Sequence, residues 1–137
     1  MRSLPQVALA NDDGSVVCEH CLLAETMFAR LRGLLGRSGL SSGEGMLLRP
    51  AASVHTAFMR FTIDVVFLDR EDRVVKVAAD LRPWRAAACR GARTVLELPA
   101  GEAARQGLGP GVSLTQVWRN EPASRPRPQA PASARPG

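Results

Sequence analysis

Residues 63–80 read IDVVFLDREDRVVKVAAD. Ile63–Leu68 and Val74–Ala79 are rich in β-branched residues, and a polar run, DREDR, separates them. That arrangement predicts a β-hairpin with DREDR as its turn. Outward from the hairpin the pattern stays β. Gln6–Leu9 and Val16–Ala24 predict two strands joined by the turn residues NDDG at 11–14. Met46–Leu48, Thr94–Leu98 and Val112–Trp118 add short strands. Two segments read as helix. In ETMFARLRGLLGRSG (25–39), Met27, Leu31, Leu34 and Leu35 fall at helical spacing. Thr26 suits the N-cap there, and Gly36 or Gly39 can end the helix. PAGEAARQGLGPG (99–111) holds a second, short helix that Gly107 ends. The sum is a mainly β fold: a compact β-sandwich or distorted β-barrel of seven to eight short strands with one or two short helices.

The chain has 137 residues, 45% of them apolar, enough for one domain with a core. We expect that domain to span residues 1–119. The tail NEPASRPRPQAPASARPG (120–137) cannot bury enough apolar surface to offset its ordering entropy, and is expected to be disordered. The net charge is +5, but Arg125, Arg127 and Arg135 lie in the tail against one acid, Glu121; without the tail the charge is +3. Aromatic residues are 4%, with no Tyr. A dense basic stripe or a stacking platform is missing, so nucleic acid is not an expected partner. No run approaches the roughly 20 apolar residues of a membrane span. MRSLPQVALANDDG at the start lacks the continuous apolar core of about 7–15 residues that a signal peptide needs, which predicts a cytoplasmic protein.

Four segments in order carry a resemblance: RLRGLLGR at 30–37, GEGMLL at 43–48, HTAFMRFTIDVVFLD at 55–69, and VLELPAG at 95–101 followed by GLGPG. Together they resemble the domain of unknown function 192 family, a widespread group of uncharacterised prokaryotic proteins. The resemblance spans roughly residues 7–118. It implies a compact, mostly β sandwich or distorted barrel with a short helix, and no particular reaction. The chain departs from the family pattern at two turns. Gly111-Val112 stands where Gly-Asp is usual, and Glu71-Asp72 where Asp-Gly is frequent. The second departure predicts a longer or different hairpin turn.

The polar residues of VHTAFMRFTIDVVFLD (54–69) are the first candidates for a site. If the whole stretch is extended, alternate residues share a face. Arg60 and Asp64 then point the same way with Cα atoms about 13 Å apart, and His55 points the other way. Phe58 joins Arg60 and Asp64 on a mixed face that suits the mouth of a pocket. Trp84, in the loop LRPWRAAACRG (81–91), can close over it. His55, Phe58, Arg60, Asp64 and Trp84 are therefore the expected ligand-binding set. The guanidinium and the indole favour a small anionic or carbohydrate-like ligand, or a protein partner. Glu97, between Leu96 and Leu98, is an expected structural partner for Arg32 or Arg60.

CEHC at 18–21 supplies two thiols at metal-ligand spacing. Zinc needs four ligands, and His20, His55 and Cys89 are the available additions. On a regular strand Cys18 and Cys21 face opposite sides, which argues for ordinary reduced cysteines and no cofactor. The glycines at 33, 36, 39, 43 and 45 match neither a P-loop nor a dinucleotide fingerprint. No nucleophile motif such as G-x-S-x-G is present, so no catalytic residue is assigned. Three readings follow. The first is a non-enzymatic ligand- or partner-binding domain with its pocket near Arg60, Asp64 and Trp84. The second is a hydrolase using His55 with Asp64. The third is a zinc-stabilised adaptor using Cys18, Cys21 and Cys89.

Overall fold

The computed structural model describes residues 4–26, 29–30, 34 and 37–118, with only the backbone of Trp118. Met27, Leu31, Arg32, Gly33, Leu35, Gly36 and the tail 120–137 lie outside the described residues.

The chain is mainly β. In order the strands are β1 (Gln6–Ala10), β2 (Val16–Ala24), β3 (Glu44–Leu48), β4 (Ser53–His55), β5 (Ile63–Leu68), β6 (Val74–Leu81), β7 (Ala86–Ala88), β8 (Thr94–Pro99) and β9 (Thr115–Trp118). A one-turn helix, Glu102–Arg105, follows β8. Seven strands form one sheet in the order β6-β5-β8-β3-β2-β1-β9, and β4 and β7 pair as a separate ribbon. All pairings are antiparallel except β2 with β3. The large sheet is sandwich-like and does not close into a barrel. Its two edges meet only at one end, where Arg73 bridges Ser113 and Val74 exchanges backbone hydrogen bonds with the segment 111–112. That exchange occupies Val112 and Ser113, so the last strand starts at Thr115, not at the expected Val112.

The hairpin at 63–80 forms as its sequence predicts. The turn uses its own acids. The Asp69 carboxylate accepts the N–H groups of Glu71 and Arg73 at 2.9 Å each, and Asp72 takes the left-handed conformation, φ 63°. This is a three-residue loop with its left-handed position held by Asp where Gly is the usual choice.

Every residue of β5 is buried, as are five of the six in β8. A half-exposed sheet would alternate. Here both faces are covered, and alternate residues feed two cores. Val66, Leu68, Leu96 and Leu98 pack with Val7, Leu9, Cys18, Cys21 and Leu47, beneath Ala103 of the short helix and Leu108 and Leu114. Ile63, Val65, Phe67 and Val95 pack on the other face with Met46, Leu48, Leu34 and Val54. Leu34 belongs to the expected first helix. Its start is built as the sequence suggests, with the Thr26 hydroxyl accepting the Ala29 N–H at 3.0 Å. The β4–β7 ribbon, too short to stand alone, is anchored over this second core by Val54 and Ala87.

Two expectations about strand geometry are corrected. Residues 56–62 are not extended; Phe58 has φ 69°, and Met59 N–H donates to Thr56 C=O at 3.2 Å, forming a turn between β4 and β5. Strict alternation through 54–66 therefore does not hold. The β2 strand carries a bulge as well. Val7 pairs with Cys21 and Leu9 with Cys18, so three residues of β2 span two of β1. The extra residue turns Cys18 and Cys21 to the same face.

Candidate functional site

The motif residues that carry the family resemblance bond mainly to one another. Arg30, from RLRGLLGR, and Glu97, from VLELPAG, form an ion pair with Nε donating to Oε2 at 2.7 Å, both side chains 0% exposed. Arg30 Nη2 also faces Met59 Sδ at 3.5 Å. Glu97 Oε1 is buried, with no hydrogen-bond partner among the described residues. Burial pushes the Glu97 carboxyl above its ordinary range, and the Arg30 guanidinium pulls it back only in part. Glu97 was expected opposite Arg32 or Arg60. Its partner is Arg30, two residues before the first expectation, and Arg60 is exposed.

Asp64 is equally committed. It is 1% exposed. Oδ1 accepts the Asp80 N–H at 2.9 Å, and Oδ2 accepts those of Gly101 and Ala103 at 3.1 and 2.9 Å. The carboxylate thus ties β6 to the first turn of the short helix, whose N-cap, Gly101 at φ 88°, offers no side chain of its own. Asp64 pairs neither with Arg60 nor with His55. His55 instead accepts the Ala57 N–H on Nδ1 at 3.3 Å. Arg37 and Glu44 link the first two motifs at 2.9 Å, and the Ser41 N–H and Arg37 hold the Glu44 carboxyl below its usual range.

The cysteines are core residues. Cys18 and Cys21 face each other in the first core, while Cys89 packs against the second. A hydrogen bond with Cys18, then burial, pushes the Cys21 thiol well above its ordinary range, so it stays protonated and inert. Gly45 leaves them room: a Cβ there would lie 2.9 Å from Cys18 Sγ and 2.8 Å from the Glu97 carbonyl oxygen. Among the described residues no three His, Cys, Asp or Glu side chains gather where a metal ion could be held.

What is left uncommitted lies at the end of the sheet where β5 begins and β6 ends. Phe58 and Trp84 stack edge to face with ring centroids 4.8 Å apart. They are 66% and 61% exposed, and both hold left-handed backbones, φ 69° and 64°. Neither is Gly, Asn or Asp, so each stores strain. Buried Thr56 fixes the two loops together. Its N–H donates to Arg85 C=O at 2.8 Å, and its C=O accepts the Trp84 N–H at 3.0 Å. Its hydroxyl donates to Arg82 C=O at 2.6 Å and accepts the Arg85 N–H at 2.8 Å. The side chains of Arg60, Arg82 and Arg85 are exposed in these loops, with one acid, Asp80, exposed beside them. His55, half-buried, lines an open groove with Ser53, Val54 and Ala86–Ala88 at the same end of the ribbon. Of the expected site residues, then, Phe58 and Trp84 meet in space, His55 and Arg60 flank them in sequence and loop, and Asp64 is withdrawn into the framework. Thr56 was missed. A Thr between a His and a small residue carries no local signal of its long-range bonds.

The architecture defines a small β-sandwich domain with a strained aromatic tip and no assembled catalytic group among the described residues. Residues 8–116 match the family model DUF192, described as an uncharacterised ACR. The chain belongs to this family. A UPF0127 protein of Thermococcus sibiricus is 36% identical over 93 residues, covering 64% of this chain and 60% of the relative, so the chain spans under two thirds of that protein. A crystal structure of a protein of unknown function from Novosphingobium aromaticivorans superposes with TM-score 0.68 at 28% identity, over 80% of this chain and 83% of the other. A Sinorhizobium meliloti protein, described provisionally as a transcription regulator, superposes with TM-score 0.72 at 22% identity, over 85% and 97%. That last likeness is one of fold alone. No helix among the described residues is long and apolar enough to cross a membrane.

Proposed function

We propose that this domain is a non-enzymatic recognition module whose site is the Phe58–Trp84 tip, taking an anionic, carbohydrate-like ligand. The observation that carries the reading is the pair itself. Two large aromatic rings stand in solvent on left-handed backbones, and the surrounding hydrogen bonds over-determine that arrangement. Strained, exposed positions of this kind gather at ligand clamps. Aromatic faces suit the apolar C–H faces of a sugar ring. Arg60, Arg82 and Arg85 supply guanidinium groups for a carboxylate on the same ligand. A hydrolytic role for His55 and Asp64 has no support in the geometry, because the Asp64 carboxylate is occupied by three backbone N–H groups.

The test is a titration with a uronate-containing oligosaccharide and its neutral counterpart, followed through the backbone amide resonances of Thr56, Ala57 and Arg85, which every variant retains. Trp84→Ala is expected to weaken binding of the uronate by roughly thirtyfold, the scale of a central aromatic anchor. Arg60→Ala is expected to reduce the preference for the charged over the neutral sugar. Unchanged affinity in Trp84→Ala removes the tip from the site.

A further inference from the structure

A second cluster of uncommitted charge lies at the opposite end of β5. Ile63 leads back to the aromatic tip. Leu68 leads the other way, its C=O accepting the Arg93 N–H at 2.7 Å. The two ends are about 17 Å apart along the strand. At the Leu68 end a cleft of about 520 Å³ is lined by Arg49, Pro50, Arg70, Asp72, Arg93 and Thr94. That size falls within the roughly 300–1,000 Å³ of small-molecule sites. Three guanidinium groups face one carboxylate there.

The three arginines are not equivalent. Arg49 is locked in place. Its Nε donates to Thr94 Oγ1 at 3.0 Å and its Nη2 to Asp72 Oδ1 at 3.1 Å. The Gln116 amide, turned with its oxygen toward Arg49, accepts from Nη1 at 2.9 Å and Nη2 at 2.7 Å. Asp72 is thereby spent on Arg49. The neighbouring acid Asp69 is spent on the turn, where Oδ1 accepts two backbone N–H groups. Arg70 and Arg93 are exposed, and no hydrogen bond or ion pair to either side chain is present among the described residues. Both line the same cleft with no carboxylate of their own among the described residues, and a dianion placed between two guanidinium groups takes bidentate hydrogen bonds from them. Glu71, exposed at the tip of the turn, is the one further acid on this loop.

We infer that this cleft binds a phosphate-bearing small molecule, with Arg70 and Arg93 gripping the phosphate and Arg49 held in the wall as a fixed positive charge. The site is separate from the aromatic tip, and the inference does not rest on the tip's ligand. A phosphomonoester dianion fits the charge excess, and the cleft leaves room for the group that carries the phosphate.

The test uses the full chain and amide chemical shifts, with four additions at matched ionic strength: potassium chloride, inorganic phosphate, a hexose 6-phosphate and the free hexose. The expected result is saturable shifts at Arg70, Arg93 and Thr94 with phosphate and, more tightly, with the hexose phosphate. Arg70→Gln and Arg93→Gln should each weaken binding at least tenfold, and the double variant should abolish it. Trp84→Ala should leave these shifts unchanged. Both arginines are exposed, so the variants are expected to fold, and dispersed wild-type-like spectra check this. The inference is overturned if chloride reproduces the phosphate effect, if the free hexose binds as well as its phosphate, or if the arginine variants bind like the wild type.

Discussion

Replacing Arg30 by leucine is expected to lower the unfolding free energy by about 3–5 kcal/mol, the cost of leaving a buried charge without its partner. Glu97 is wholly buried, and among the described residues the only hydrogen bond to its carboxylate is the one from Arg30 Nε. Without that guanidinium the carboxyl has no reason to stay ionised, and its pKa rises further. The sign of the pH dependence follows. A carboxyl whose folded pKa lies above its unfolded value favours the folded state while protonated. That contribution is present at low pH and is lost as pH rises through the folded pKa. Equilibrium denaturation should therefore show the Arg30→Leu penalty shrinking as pH falls toward the ordinary carboxylate range. The double variant Arg30→Leu/Glu97→Leu should recover much of the loss, because apolar residues of similar volume replace buried ion pairs at little cost. A single-variant penalty under about 1 kcal/mol, or no recovery in the double variant, contradicts this account of the pair.

Asp64→Ala is expected to cost about 3 kcal/mol, because it leaves three backbone N–H groups without their acceptor, two of them at the start of the short helix. Asp64→Asn is an informative companion. Its amide has one oxygen, so it can serve Asp80 or the Gly101–Ala103 pair, and its NH₂ group opposes the N–H groups on the other side. Native-state hydrogen exchange reads the difference by residue. The amides of Asp80, Gly101 and Ala103 should exchange faster in Asp64→Ala, while those in the β3–β8 ladder should change only through the global loss. Uniform acceleration at every amide would show that Asp64 acts through general packing and not through these bonds.

Much of the fold is legible in the sequence because it is written in local pattern. The β-branched arms and acidic turn of 63–80 give the hairpin, and Thr26 marks a helix start that the structure keeps. What is not legible depends on partners far along the chain. Arg30 finds Glu97 across 67 residues, and Asp64 caps a helix turn 37–39 residues away. The β2 bulge has no glycine to announce it; it is set by the pairing of Val7 and Leu9. Ala86–Ala88 has little β propensity and becomes a strand only by pairing with Ser53–His55. The turn at Phe58 is the clearest case. Nothing in TAFM suggests a left-handed residue, because the sequence there lacks Gly, Asn or Asp. A local rule broken at the proposed binding site is the pattern expected where function is paid for in stability. The candidate site was thus half legible: the residue types Phe58, Trp84 and Arg60 pointed to it, while Asp64 belonged to the framework.

The central claim is that the motif polar residues hold the fold and the aromatic tip does not. It is tested most directly by the equilibrium unfolding free energy of the double variant Phe58→Gly/Trp84→Gly. Glycine adopts φ near +65° without the penalty of roughly 1–2 kcal/mol that each aromatic residue bears there, though it also gains freedom in the unfolded chain. The account predicts a stability equal to the wild type or higher by about 1 kcal/mol, together with loss of the uronate response. A fall of more than about 2 kcal/mol would contradict it, because the rings would then be part of what holds the domain together.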